Sequence, residues 1–228
     1  MKIGVITFPG SNSDTDLLYV WKNILGQNAI SLWHKDSDLQ GCDLVCLPGG
    51  FAHGDYLRTG AIARFSPIMK EVVRHAEKGG YVWGICNGFQ ILTEAGMLPG
   101  VLIRNQNIRF ICQNAYITPR SSDAPITKHM PVQAYSIPIA HGEGNYYCDA
   151  DTLNRIENEG QVLFRYTNAK GELTAEDNPN GSLNHIAGIC NTQRNVWGMM
   201  PHPERAADVY LGNQNGLPFF ESILKALA

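Results

Sequence analysis

Tyr81-Val82-Trp83-Gly84-Ile85-Cys86-Asn87-Gly88-Phe89-Gln90 reads as an apolar strand that turns abruptly into a helix, with a cysteine at the turn. Gly84 and Gly88 flank Cys86 at equal spacing. A strained strand-to-helix turn needs small neighbours, because the backbones crowd there, and it lifts the reactive side chain clear of the sheet. The new helix aims the positive end of its dipole at the sulfur, which favours negative charge there. Gln90, Ile91, Leu92 and Thr93 continue the helix, and Gly96 with Pro99-Gly100 stops it. A cysteine on its own is most often a small buried hydrophobe. The strand before it and the helix after it make this one a nucleophile elbow with sulfur in place of oxygen.

Outward from the elbow, the first half alternates strand and helix. Residues 3–8 form a buried strand, and Pro9-Gly10-Ser11-Asn12-Ser13 a turn rich in capping side chains. Leu17, Leu18, Trp21, Ile24 and Leu25 recur at helical spacing until Gly26. Strands are expected at 29–33 and 43–47. Ser66-Pro67 opens a helix that carries Ile68, Met69, Val72, Val73 and Ala76 on one face and ends at Gly79-Gly80. Near-continuous apolar strands separated by helices predict a mostly parallel central sheet covered by helices on both faces.

From about residue 108 to 139 the pattern becomes short and alternating, at 116–118 and 132–139, around a polar loop at 119–127. This predicts an inserted antiparallel sheet, half-exposed. A helix at 151–159, strands at 162–166, 185–190 and 196–199, and a closing helix at 217–227 complete the reading. No repeat or linker divides the chain, so residues 1–228 are expected to form one domain.

With 228 residues, 44% hydrophobic and 17% charged, the chain has the composition of a globular protein with a sizeable core. A net charge of −3 argues against a nucleic-acid or membrane surface. No leader precedes the first strand and no apolar run approaches the ~20 residues of a membrane span, so a cytoplasmic setting is expected. The six cysteines show no Cys-x-x-Cys pair, so no metal site is expected. Cys46 and Cys190 lie in apolar runs and read as core. A reducing compartment would keep Cys86 free.

A cysteine nucleophile needs a base, and the base needs an orienter. Of the seven histidines, His202 stands apart, in Gly198-Met199-Met200-Pro201-His202-Pro203-Glu204-Arg205. Two prolines clamp its backbone. Glu204, two residues on in an extended segment, can reach the same side and accept the imidazole N–H. His75 reads as a solvated residue of its helix, and His34, His129 and His185 as packing or surface. An oxyanion hole can draw on the N–H of Asn87 and on Leu47-Pro48-Gly49-Gly50-Phe51, at the end of the third strand. All these segments fall at strand carboxyl ends, where open α/β sheets hold their sites.

Together these residues resemble the class I (triad) glutamine amidotransferases. Within them they resemble the subfamily of separate glutaminase subunits of phosphoribosylformylglycinamidine synthase. The similarity rests on residues 8–12, on 48–63 (Pro-Gly-Gly-Phe-Ala-His-Gly-Asp-Tyr-Leu-Arg-Thr-Gly-Ala-Ile-Ala), on the elbow, on Asn105 with Arg109-Phe110, on Pro138-Ile139-Ala140-His141-Gly142-Glu143-Gly144, and on 198–205. The resemblance implies a flavodoxin-like fold and a catalytic triad of Cys86, His202 and Glu204 that hydrolyses glutamine to glutamate and ammonia. It implies oxyanion N–H groups on Gly50 and Asn87, and a role for Gln90 in binding glutamine. It also implies a large synthetase subunit as the receiver of ammonia, a small bridging subunit, no cofactor in this chain, and ATP and Mg used by the synthetase partner. The family pattern usually has an acidic residue after Arg109-Phe110, a tryptophan further on and a basic residue after the His-Gly-Glu-Gly run. Ile111, Asn114 and Asn145 stand there instead. Arg58 and the 119–127 loop are candidates for the synthetase face.

Two other classes fit parts of the sequence. A cysteine hydrolase or peptidase-like relative would use the same elbow without a synthetase. A nucleotide-binding module would need 9–13 as a phosphate loop, but that loop has neither the Gly-x-Gly-x-x-Gly nor the lysine-bearing pattern.

Overall fold

The structure, a computed structural model, describes residues 1–120 and 123–228. Ser121 and Ser122, inside the expected 119–127 loop, lie outside the described residues. Among the described residues eleven strands form: β1 (Lys2–Thr7), β2 (Asn28–Trp33), β3 (Leu44–Leu47), β4 (Tyr81–Ile85), β5 (Val101–Ile103), β6 (Ile111–Pro119), β7 (Tyr135–His141), β8 (Asn145–Tyr147), β9 (Val162–Thr167), β10 (Ile186–Cys190) and β11 (Val196–Met199). The main helices are α1 (Asp14–Tyr19), α2 (Pro67–Glu77), α3 (Asn87–Glu94), α4 (Pro125–Lys128), α5 (Ala150–Asn158) and α6 (Leu217–Leu227).

Nine strands join in the order β2-β1-β3-β4-β11-β10-β9-β6-β7. The first five pair in parallel, and the remaining four continue the same sheet antiparallel. A separate two-stranded antiparallel sheet pairs β5 with β8. Side chains alternate between the two faces of β4, and helices cover both. Trp83 meets Phe220 of α6 edge-on at 5.1 Å, and Trp21, just past α1, meets the same ring at 4.9 Å. On the opposite face Gly84 lies under α3, where an added Cβ would stand 2.6 Å from Leu92 Cδ1.

The alternating runs around 108–139 are a long hairpin, β6 with β7, and its register pairs Ile111 with His141 and Asn114 with Pro138. Strand β7 alternates buried and half-buried residues, as a one-sided strand should. The 119–127 loop ends in the short helix α4, with Pro125 in its first turn. One property of the sheet positions the site. Although β7 is the far edge, Pro138 O accepts the His202 N–H at 2.8 Å. The sheet therefore curls until its antiparallel edge meets the carboxyl ends of β4 and β11.

Candidate active site

Cys86 adopts φ 50° and ψ −106°, a region that an L side chain enters at a cost of about 1–3 kcal/mol. Two hydrogen bonds pin the turn. Cys86 N–H donates to Met199 O at 2.7 Å, and Gln90 N–H donates to Cys86 O at 3.1 Å. Both flanking glycines are steric requirements. A Cβ on Gly88 would run into the Leu47 carbonyl, and one on Gly84 would stand 2.6 Å from Gly88 O. The thiol is 4% exposed and points along Ala140 O, at 3.7 Å.

His202 follows β11, with its ring against Gly49, where an added Cβ would stand 2.5 Å from His202 Cε1. Its Nδ1 meets Glu204 Oε1 at 2.5 Å, with both side chains buried. The segment between them is not extended. Pro203–Ala206 is a 3-10 turn with Pro203 in its first position, and this turn brings Glu204 to the ring. The expected pairing is present, reached by a different backbone. His202 Nε2 makes no hydrogen bond of ordinary length, yet it lies within the field of the Cys86 thiolate. Burial opposes the imidazolium. The Glu204 carboxylate and then the Cys86 thiolate outweigh it and hold the His202 pKa well above the usual histidine range.

Gly50 sits at φ 147°, and an added Cβ would meet Gly10 O at 2.6 Å and Ser11 Cα at 2.7 Å. The loop is tied down by Asn12 N–H to Gly49 O at 3.2 Å and by Phe51 N–H to Gly10 O at 2.8 Å. Among the described residues nothing accepts from the Gly50 N–H. Asn87 opens α3, so its N–H has no acceptor within the helix. The Asn87 side chain locks the helix to the neighbouring loop, accepting from Ala52 N–H at 3.0 Å and donating to Gln90 Oε1 at 2.9 Å. Gln90 in turn donates to Glu143 O at 2.6 Å. Its amide is thus engaged at both ends and braces the wall of the site.

Cys86, Gly50 and Gln90 line one cavity of about 200 Å³. Asp55, Thr59, Ala140 and Glu143 line it too, and Phe51 and Phe110, both exposed, stand at its edge with ring centroids 6.3 Å apart. Behind this wall lies a buried knot of hydrogen bonds. Asn105, 1% exposed, donates to Arg109 O and His141 O, both at 2.8 Å, and accepts from Gly144 N–H at 3.0 Å. With both its N–H groups committed, its Oδ1 must accept from His141 Nδ1, at 3.1 Å. Burial, helped by the charge on His202, lowers the His141 pKa to about 4, so that ring is neutral. In the sequence, the glycines on either side of Glu143 were the available signal for this knot.

Other expectations fall as follows. His34 is buried, with Nδ1 3.1 Å from Ser66 Oγ, and His75 is half-buried against Asp43 O. Ile111, Asn114 and Asn145 lie outside the cavity lining. Arg58 is held in a fork by Glu94, with both bonds at 2.7 Å. All six cysteines are free, and no group of three or more His, Cys, Asp or Glu able to hold a metal ion occurs among the described residues. No helix among them is long and apolar enough to cross a membrane. Chemically, the arrangement can present a thiolate, an adjacent proton carrier oriented by a carboxylate, and unpaired N–H groups for a developing oxyanion.

Residues 1–216 match the model of the CobB/CobQ-like glutamine amidotransferase domain. The chain is 55% identical over 226 residues to phosphoribosylformylglycinamidine synthase subunit PurQ of Nostoc sp., covering 99% of this chain and 97% of that protein. It is 56% identical over 220 residues to the PurQ subunit of Synechocystis sp., covering 96% and 98%. Among solved structures it resembles a chain in the structure of PurLQS from Thermotoga maritima, with a TM-score of 0.86, 38% identity, and coverage of 100% of this chain and 99% of that one.

Proposed function

Because the chain belongs to the CobB/CobQ-like glutamine amidotransferase domain family, we propose that it is the glutaminase subunit of phosphoribosylformylglycinamidine synthase. In this reading it releases ammonia from glutamine for a synthetase subunit that makes formylglycinamidine ribonucleotide in purine biosynthesis. The assignment to that enzyme rests on the full-length identity to PurQ proteins and the fold shared with a PurLQS chain. The proposed site residues rest on one observation: the buried His202–Glu204 pair beside a cysteine held at φ 50°. The proposal takes residues 1–228 as one amidotransferase domain. It assigns ATP and Mg to the synthetase partner, a bridging role to a small third subunit, and a cytoplasmic setting to the whole.

In the proposed reaction the Cys86 thiolate attacks the carboxamide carbon, and the oxyanion rests on the N–H groups of Gly50 and Asn87. Acylation removes the negative charge from sulfur, and with it part of what holds the proton on His202. The imidazolium then gives that proton to nitrogen as the C–N bond breaks, and ammonia leaves. Neutral His202 next takes a proton from water, which attacks the thioester and releases glutamate, restoring the thiolate and the imidazolium. Gln90 acts by bracing the wall that faces the substrate.

The test is reconstitution with the synthetase and the small subunit, followed by glutamine-dependent amidine formation. Cys86→Ala is expected to abolish glutamine hydrolysis and to leave ammonia-dependent synthesis intact. Retained glutaminase activity in that variant would falsify the assignment of the nucleophile.

A further inference from the structure

We propose that Asp55 and Glu143 form the subsite that receives the α-ammonium group of glutamine, and so decide which amides the site accepts. The inference rests on the glutaminase reading and adds the residues that select its substrate.

The two carboxylates line the cavity that Cys86 also lines, and among the described residues no lysine or arginine lines it. They are separated in sequence by most of the first two-thirds of the chain, so they meet only because the 51–60 loop and the end of β7 converge there. Both keep unspent hydrogen-bonding capacity. Glu143 accepts from Thr59 Oγ1 at 2.9 Å through Oε2 alone. Among the described residues, Asp55 has only a 3.5 Å contact from Asn87 Nδ2. Arg58, in the same loop, has its guanidinium bonded to Glu94 and meets the Glu143 charge only at longer range.

The backbone is held in an unfavourable form that sets Asp55 into this wall. His53, Asp55 and Leu57 have φ values of 56°, 53° and 72°. Left-handed conformations in non-glycine residues cost roughly 1–2 kcal/mol each, and they persist where the surroundings impose them, most often at functional sites. Burial, and then repulsion from the like charge of Glu143 beside the same cavity, raises the Asp55 carboxyl. A cation entering the cavity removes the penalty and gains charge-assisted hydrogen bonds to both acids.

The carboxylates do not stand alone. The same cavity carries the nucleophile, and the buried His202, 2% exposed, interacts with that cysteine from behind the lining. A substrate that places an amide at Cys86 extends its other end along the same cavity, whose lining includes both acids. In glutamine that end carries an ammonium group. An amide of the same length without it would leave both acids unpaired in a partly dehydrated pocket, which is the condition for strong rejection.

The experiment compares glutamine with glutaramate, the same side chain lacking the α-amino group, in the complex with the synthetase. Ammonia release is measured for the wild type, Asp55→Asn and Glu143→Gln. The wild type is expected to prefer glutamine by about 100-fold or more in kcat/KM. Each variant should raise KM for glutamine about tenfold with a smaller change in kcat, and should leave glutaramate turnover unchanged or improved. A purely structural role would lower the turnover of both amides together and overturn the proposal, as would a wild type that uses them equally. The wild-type comparison stands even if a variant fails to fold. A wild type that turns over neither amide would overturn the glutaminase reading itself. Glutamine turnover with discrimination unchanged in both variants would overturn the subsite alone.

Discussion

In the proposed reaction Glu204 acts on the chemistry only through His202. One of its oxygens holds Nδ1 at 2.5 Å, and the other is buried without a partner. Its charge is the largest influence keeping the buried ring protonated. Because the folded pKa lies above the ordinary value, the imidazolium is fully present below that value and is lost only as pH rises through the raised one. Glu204→Gln keeps the size and a hydrogen-bonding oxygen but removes the charge, so burial prevails and the histidine pKa falls. The expected outcome is a kcat lower by on the order of 10³–10⁴-fold. The basic limb of the pH–rate profile should also move to lower pH than in the wild type. A profile with its limb unmoved would show that Glu204 does not set the protonation of His202. His202 and Glu204 are legible in the sequence because the prolines around His202 are unusual and their spacing is short. The turn that joins them is not legible, since an extended segment and a 3-10 turn can both follow Pro203.

At the scale of an element, the Gly49-Gly50 turn after β3 would contribute to the proposed oxyanion hole through its backbone rather than a side chain. Gly50 is confined by other backbone atoms, Gly10 O at 2.6 Å and Ser11 Cα at 2.7 Å from an added Cβ, and neither can swing aside. Gly50→Ala must therefore move the loop, and with it the proposed oxyanion N–H. A loss of about 10²–10³-fold in kcat is expected, with little change in KM. Gly54 is the control within the same segment. It has φ 70° but nothing within 4 Å of an added Cβ. Gly54→Ala should cost only the left-handed penalty, about 1–2 kcal/mol of stability, and leave the rate of the folded enzyme nearly intact. Equal kinetic losses in the two variants would show that Gly50 holds no oxyanion donor. The elbow is legible for a related reason: Gly84, Gly88 and the flanking periodicities are local signals. The Asn105–His141 knot leaves only the glycines beside Glu143 as a local trace, because it depends on which residues of β7 and of the 105–109 turn meet in space.

For the molecule as a whole, the proposed substrate subsite has a cost in stability, and its pH dependence follows from the fold. Asp55 and Glu143 come together because the antiparallel edge of the sheet curls over the parallel half, a long-range arrangement that no local pattern announces. The alternating 108–139 run predicts antiparallel strands, but not that they extend the main sheet or which residues they carry to the thiol. Once assembled, burial and then the charge on Glu143 push the Asp55 pKa up to about 6, from 3.8 for an unperturbed carboxyl. The folded state thus holds that proton more tightly than the unfolded chain. The stability associated with it is fully present below about 3.8 and is lost as pH rises through about 6. Asp55→Asn removes the ionisation, with Arg58 still tied to Glu94 and no cation lining the cavity to compensate. In thermal unfolding of the ligand-free chain, the variant should therefore melt higher than the wild type near about pH 8. Its advantage should shrink through about pH 6 and be absent near about pH 4. Saturating glutamine should close the gap at the higher pH, because ligand bound to the native wild type stabilises it and the variant binds it more weakly. A gain of equal size at all three pH values would mean that the substitution acts through packing or backbone strain instead. No gain at the highest pH would mean that the two carboxylates are not in conflict in the empty site.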